Sequence, residues 1–220
     1  MRIYRDHWYH FGGALFALLS VALGLWGGGI PEIQRILLVS FMALLVHQFE
    51  EYALPGGFPA CYNMALCGER DRPDRYPLNA LTSFIVNVPL AYAFYLSAVL
   101  LPGVIWLGIS QVLFGMAQIG VHGVLMNVKL HRRYNPGMAS VLLLHYPVGI
   151  TYIWYVTTHG LARPADFLIA VLATALAGLM LIALPIRALK SRDSKHPFSP
   201  EEMNRFHVEA KLLERIEPEG

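Results

Sequence analysis

The sequence predicts an all-α, polytopic membrane bundle of six helices with both termini in the cytoplasm. Three observations point there: a composition poor in charge, six apolar runs of spanning length, and basic residues that fall on alternate connections. Of 220 residues, 55% are hydrophobic and 15% charged, where a soluble domain carries about a quarter of its residues as charges. Residues 79–128 contain no Asp, Glu, Lys or Arg at all, a composition suited to lipid and not to water. A soluble fold would need a core larger than this chain can enclose. The net charge of +2 sits beside the apolar runs rather than in a separate basic domain, which argues against a nucleic-acid partner.

The apolar runs cover approximately residues 10–28, 33–54, 79–101, 103–128, 138–158 and 165–186. Each is near the length of about 20 residues that crosses the hydrocarbon. Gly12, Gly13 and Gly27-Gly28-Gly29 weaken the first run as a helix, and a signal peptide is its rival reading. No small-residue cleavage site follows it, and Trp8 and Tyr9 are placed as an interfacial anchor, which favours a retained span. Pro89, Pro147 and Pro185 are expected to kink or end their helices.

Flanking charge orients the bundle. Arg2 and Arg5; Arg70, Arg72 and Arg75; Lys129, Arg132 and Arg133; and Arg187, Lys190, Arg192 and Lys195 fall on one side, against Arg35 and Arg163 on the other. That asymmetry places the richer side in the cytoplasm and requires an even number of spans. The expected location is a bacterial-type inner membrane or plasma membrane.

The expected organisation is a transmembrane domain over residues 1–195 and a short cytoplasmic amphipathic tail over 196–220. The longest connection, 55–78, opens with Pro55-Gly56-Gly57 and contains Pro73 and Pro77; it is read either as a cover over the inner mouth or as an ordinary polar connection. Cys61 and Cys67 in this loop are expected to be exposed, reduced thiols. In Tyr134-Asn135-Pro136-Gly137, Asn135 is placed to cap the fifth helix, Pro136 to occupy its first turn and Gly137 to permit close contact. In the tail, Ser199-Pro200-Glu201-Glu202 has the order of a capping box, and Met203, Phe206, Ala210 and Leu213 form a stripe suited to the bundle or membrane surface.

The most informative segment is His47-Gln48-Phe49-Glu50-Glu51, at the inner end of the second run. On a helix Glu50 and Glu51 fall about 60° and 40° to either side of His47, so all three can address one pocket. An imidazole with two carboxylates can bind a metal or move protons, although the pattern lacks the second histidine of a common zinc hydrolase. His122 and His145 lie about eight residues from the inner ends of the fourth and fifth runs, a depth of roughly 12 Å that matches His47. Asn87 reaches the same layer from the third run, Gln118 sits one turn before His122, and Asn127 lies nearer the water. Polar groups converging at one depth inside a bilayer point to a site.

These residues resemble the HXXEE-domain membrane protein family. His47-Gln48-Phe49-Glu50-Glu51 matches its naming motif, and His122-Gly123-Val124-Leu125-Met126-Asn127 followed by Tyr134-Asn135-Pro136-Gly137 looks like its second conserved region. The resemblance covers residues 10–160 and implies an integral membrane architecture with a site at His47, Glu50, Glu51, His122 and Asn127. It implies no particular reaction. His145 joins the set from its depth alone.

Two classes of function follow. The first is a metal-dependent enzyme acting on a membrane lipid or other lipid-like substrate: His47, His122 and His145 hold the ion, and Glu50 or Glu51 handles a proton, with Glu51 preferred as base. Zinc-assisted hydrolysis is its most concrete version; Fe or Mn are the alternative ions, and Fe would serve oxidation, hydroxylation or desaturation. The second is an ion-coupled carrier or a membrane scaffold, in which the same groups exchange protons or hold helices together. No dinucleotide fingerprint is present.

Overall fold

A computed structural model of the chain describes residues 2–214; Met1 and residues 215–220, the last part of the expected tail, lie outside it. The described residues form helices and no strand, with helix over 77% of the chain. Six helices are long and apolar enough to cross a membrane: Ile3–Gly29, Glu32–Tyr52, Ala80–Leu100, Ile105–Leu130, Met138–Thr158 and Pro164–Leu189. All six expected runs are there, within a few residues except at the start of the first. There the amphipathic residues before residue 10 continue the helix, bent at His7 (φ −132°, ψ 21°).

The second span is the most buried of the six, and the first and sixth are the least. It packs against the first, third, fourth and fifth spans, while the sixth packs mainly on the fourth. Two of the glycines that weaken the first span as a helix, Gly12 and Gly13, serve its packing on the neighbouring spans. A Cβ on Gly12 would lie 3.2 Å from the Tyr92 hydroxyl, and one on Gly13 would lie 3.1 Å from the Phe49 ring. The main apolar core, which includes Leu37, Phe41, Leu45, Tyr95, Ile109 and Tyr152, fills the half of the bundle away from the termini.

None of the three internal prolines ends its span. A proline ring collides with the carbonyl four residues earlier, and the helix answers by widening locally to i→i−5 hydrogen bonding, as in Ala91 N–H to Val86 O, Tyr146 N–H to Val141 O and Leu184 N–H to Leu179 O. A fourth wide turn, Gly120–Leu125, contains no proline. These turns place Asn87, His122 and His145, in keeping with the concentration of such bulges at functional positions.

The end of the bundle that carries both termini is roofed. Residues 58–66 of the long loop form a short helix whose Ala60, Cys61, Asn63, Met64 and Ala65 are buried, so the loop is a cover and not a plain polar connection. Asn63 ties its two ends together, donating to the carbonyls of Pro73 and Leu78 and accepting from Leu78 N–H. Both cysteines are free, but Cys61 is buried, contrary to the expected exposure, because it faces Met126, Leu130, Val208 and Leu212 in a small second core.

The tail completes the roof. Its capping box forms as expected, with Ser199 Oγ accepting from Glu202 N–H and Glu202 accepting from Ser199 N–H. The stripe that follows is broken, however: Phe206 and His207 adopt positive φ (63° and 49°), and the chain restarts as Val208–Leu213. Val208 and Leu212 are therefore the buried pair, while Leu213 is exposed. Arg205 donates to the carbonyls of Tyr52 and Ala53, satisfying the C-terminal end of the second span. Trp8 and Tyr9, expected at the lipid interface, are buried here instead. Their rings pack on Tyr52 at 4.9 and 5.9 Å between centroids, contacts worth about 0.5–1.5 kcal/mol each beyond the area they bury.

Candidate metal centre

His47 and Glu51 lie one turn apart on the second span, and His122 faces them from the wide turn of the fourth. All three are buried, and their ligand atoms lie within 4.8 Å of one another. Glu51 Oε1 is 3.6 Å from His47 Nε2 and 3.3 Å from His122 Nε2. A charge-assisted N–H···O⁻ bond measures about 2.7–2.9 Å, and both separations exceed it. They lie instead near the edge of roughly 3.3 Å that separates ligand atoms of a tetrahedral ion with bonds of about 2.05 Å.

The outer nitrogens determine what the inner ones can do. His47 Nδ1 is 3.1 Å from the carbonyl oxygen of Gly137 and 3.0 Å from Ser140 Oγ. A carbonyl can only accept, so the proton sits on Nδ1 and the Nε2 lone pair faces Glu51. His122 Nδ1 is 2.9 Å from Asn135 Oδ1. The orientation of that amide is set by its own NH₂, which donates to the carbonyl of His122 and to Asn127 Oδ1. His122 is therefore also protonated on Nδ1. In their neutral form the two imidazoles thus turn lone pairs towards a carboxylate oxygen, a donor set suited to a cation, with each ring oriented by a hydrogen bond behind it.

Glu50 faces elsewhere. Its Oε1 accepts from Tyr134 O–H (2.8 Å) and Ala139 N–H (3.0 Å), and its Oε2 accepts from Ser140 N–H (2.7 Å) and Ser140 Oγ–H (2.5 Å). It caps the first turn of the fifth span from a neighbouring helix, the role expected of Asn135. Asn135 is committed to His122, and the fifth helix begins only after Gly137, whose φ is 102°. Glu50 still touches the centre at one remove, because Ser140 Oγ bridges it to His47. Glu51, expected as a base, is one of the three groups that converge.

The remaining expected residues are placed as follows. His145 is buried with its ring centroid 5.5 Å from that of His47, but it is not one of the three convergent ligands, and neither of its ring nitrogens has a hydrogen-bond partner. Asn127 acts through Asn135. Asn87 accepts from Gln48 Nε2 with its carbonyl (2.7 Å) and its Oδ1 (3.3 Å). Asn87 and Gln118 both line a cavity of about 110 Å³ that also receives His47, Glu51 and His122. Phe58 and Tyr62 of the roof close one end of it, and Leu181 and Ile182 of the sixth span form part of its wall. Burial pushes the Tyr62 phenol up to about 12, which keeps it a hydrogen-bond donor at neutral pH.

Sequence reasoning missed Ser140, and it read Asn135, Tyr134 and Gly137 only as turn residues. Ser140 stands among apolar residues near the start of a span, which is a faint signal. Asn135 gave none, because its cap position and its histidine contact need the same residue type.

No curated protein and no solved structure matches the chain. Residues 38–152 match the family described as "Protein of unknown function with HXXEE motif". That segment is more than half of the chain and carries His47, Glu50, Glu51 and His122 together with Asn135 and Ser140, so this chain belongs to the HXXEE family.

Proposed function

We propose that this protein is a metal-dependent membrane hydrolase acting on a lipid-like substrate, with His47, Glu51 and His122 as ligands of a zinc ion. The observation that carries the reading is the convergence of two Nδ1-protonated imidazoles on one carboxylate oxygen at near-tetrahedral separations. Three protein ligands of the His₂Glu kind are characteristic of catalytic zinc, which takes water as its fourth ligand and lowers the pKa of that water to about 7. The chain's own groups would orient the two histidines from behind through Gly137, Ser140 and Asn135. Tyr52 and Tyr62 line the same cavity, and their phenols would donate to an oxygen on which charge develops.

The setting supports a substrate drawn from the bilayer. The centre lies at the inner end of the second span, and its cavity combines these polar groups with an apolar wall. The basic connections gather at the same end, where Arg5 meets His196, Arg75 meets Ser194 and Arg132 meets Glu214. By the bias of positive charge this end is cytoplasmic, which puts the centre near the inner leaflet of a bacterial-type inner membrane or plasma membrane.

A second reading has a specific observation in its favour: two histidines and one carboxylate are also the ligand set of non-haem Fe(II) oxygenases. Metal analysis of protein purified without an immobilised-metal tag tests both. One equivalent of zinc, lost in His47→Ala and His122→Ala variants that remain folded, is the expected result. Iron in its place, with lipid turnover that requires oxygen, would establish the oxidative chemistry. Metal-free protein that turns over no lipid would remove both readings and leave a carrier or scaffold.

A further inference from the structure

The charges lining the cavity narrow the substrate beyond its being lipid-like. Glu51 is the sole formally charged side chain among the lining residues; no lysine or arginine lines it. Two cationic side chains at that end are committed elsewhere: Arg205 to the carbonyls of Tyr52 and Ala53 and to Glu201, and Arg192 to Glu69 and Asp71.

Resting on the proposed metal centre, we infer that the substrate presents an uncharged carbonyl, an ester or amide, and not a phosphate. A divalent ion and one carboxylate leave a net charge of +1. Attack of hydroxide on a neutral carbonyl adds one negative charge, so the reacting complex is electrically balanced. A phosphodiester under the same attack would leave an excess of one negative charge, and a phosphomonoester dianion an excess of two. A buried site does not carry such an excess without cationic partners, and phosphoryl-transfer sites supply arginine or lysine for this reason. In the hydrolysis, the water oxygen bonds to the carbonyl carbon, the C–O or C–N bond to the leaving group breaks, and the leaving group takes a proton from the water. The products are a carboxylic acid and an alcohol or amine.

Cavity size sets how the substrate lies. At about 110 Å³ it is well below the roughly 300–1,000 Å³ of pockets that enclose a whole small-molecule ligand, so it admits the reacting group and not a long acyl chain. Val86 and Ala91 of the third span and Leu181, Ile182 and Ile186 of the sixth form part of its wall. The sixth span exposes Leu179, Met180 and Leu184 on its outer side. The chain of the substrate therefore lies towards the lipid between these two helices, with only the carbonyl inside.

Calorimetric titration of the protein in zwitterionic nanodiscs tests this, with empty nanodiscs as background. The probes are dodecanehydroxamic acid, uncharged when free at neutral pH and a monoanion when it chelates an ion, and dodecylphosphonic acid, which carries one to two negative charges at the same chain length, each added with and without saturating Zn²⁺. The expected result is a hydroxamic acid Kd about tenfold or more below that of the phosphonic acid in the zinc-loaded protein. Gln118→Lys, which adds a cation to the cavity wall, is expected to narrow or reverse that preference. Phosphonic acid binding as tightly as hydroxamic acid, or neither binding above background, would overturn the inference. A preference for the hydroxamic acid that is indifferent to Zn²⁺ would instead remove the metal centre and leave the uncharged-ligand assignment standing.

Discussion

Glu50 and Glu51 are consecutive in the chain and opposed in role: Glu51 Oε1 lies 3.3 Å from His122 Nε2, while both oxygens of Glu50 accept hydrogen bonds from Tyr134, Ala139 and Ser140. The step of about 100° between adjacent helical residues separates them. One carboxylate serves the centre directly and the other holds the helix that carries Gly137 and Ser140 against it.

That division predicts different consequences for two similar substitutions. Glu51→Gln is expected to abolish stoichiometric zinc while changing stability little. Glu50→Gln sets an NH₂ against two of the four donors and is expected to cost about 2–3 kcal/mol of stability while zinc remains bound in the protein that folds. Paired thermal unfolding and metal analysis check this; equal loss of zinc in both variants at unchanged stability would contradict the assignment.

Asn135 is expected to act as a positioning residue for His122. Asn135→Ala removes the acceptor that keeps the proton on Nδ1 and is expected to lower zinc affinity about 10- to 100-fold, with the zinc-free fold preserved. Asn127→Ala, one hydrogen bond further out, should lower it less. Competition with a chelator measures both, and an Asn127 effect as large as that of Asn135 would argue against this order.

Gly137 is required twice over. Its φ of 102° is unfavourable for any residue with a Cβ, and a Cβ there would lie 2.4 Å from His122 Cε1 and 2.9 Å from His47 Cε1. Gly137→Ala is expected to cost at least about 1–2 kcal/mol from the backbone alone and to displace both imidazoles, so zinc should be lost. Retention of stoichiometric zinc in this variant would show that the turn is not part of the centre.

The two cysteines report on the roof and on its sidedness. Burial pushes the Cys61 thiol up to about 12, and the thiolate is the species that reacts with maleimide. Cys61 should therefore stay unlabelled at neutral pH until the roof is unfolded, and its reactivity should rise with pH towards that value. Exposed Cys67 should label first, and only from the cytoplasmic side. In a Cys67→Ser background, a cysteine introduced at Arg133 should label from that same side. Labelling of the Arg133 position from the opposite side would overturn the six-span topology.

The architecture and the depth of the candidate site are legible in the chain. Lipid requires runs of about 20 apolar residues with their backbone bonds satisfied within the helix, a one-dimensional demand written directly in the chain. His47, His122 and Asn87 could accordingly be placed in one layer by counting from the ends of their runs. Depth along a helix is a count, but direction around it depends on packing, and three widened turns rotate Asn87, His122 and His145 off the regular 3.6-residue period. Only the tertiary structure could decide that Glu51 and not His145 completes the convergent set, that Glu50 caps the fifth span, and that Asn135 holds an imidazole. Each of these rests on a contact between residues far apart in the chain, such as His122 with Asn135 and Glu50 with Ser140, 13 and 90 positions apart, for which a local pattern carries no signal. The roof was hidden for the same reason: Cys61 and Val208 are each ordinary in their own segments, and they become core only when the loop and the tail close over the same end of the bundle.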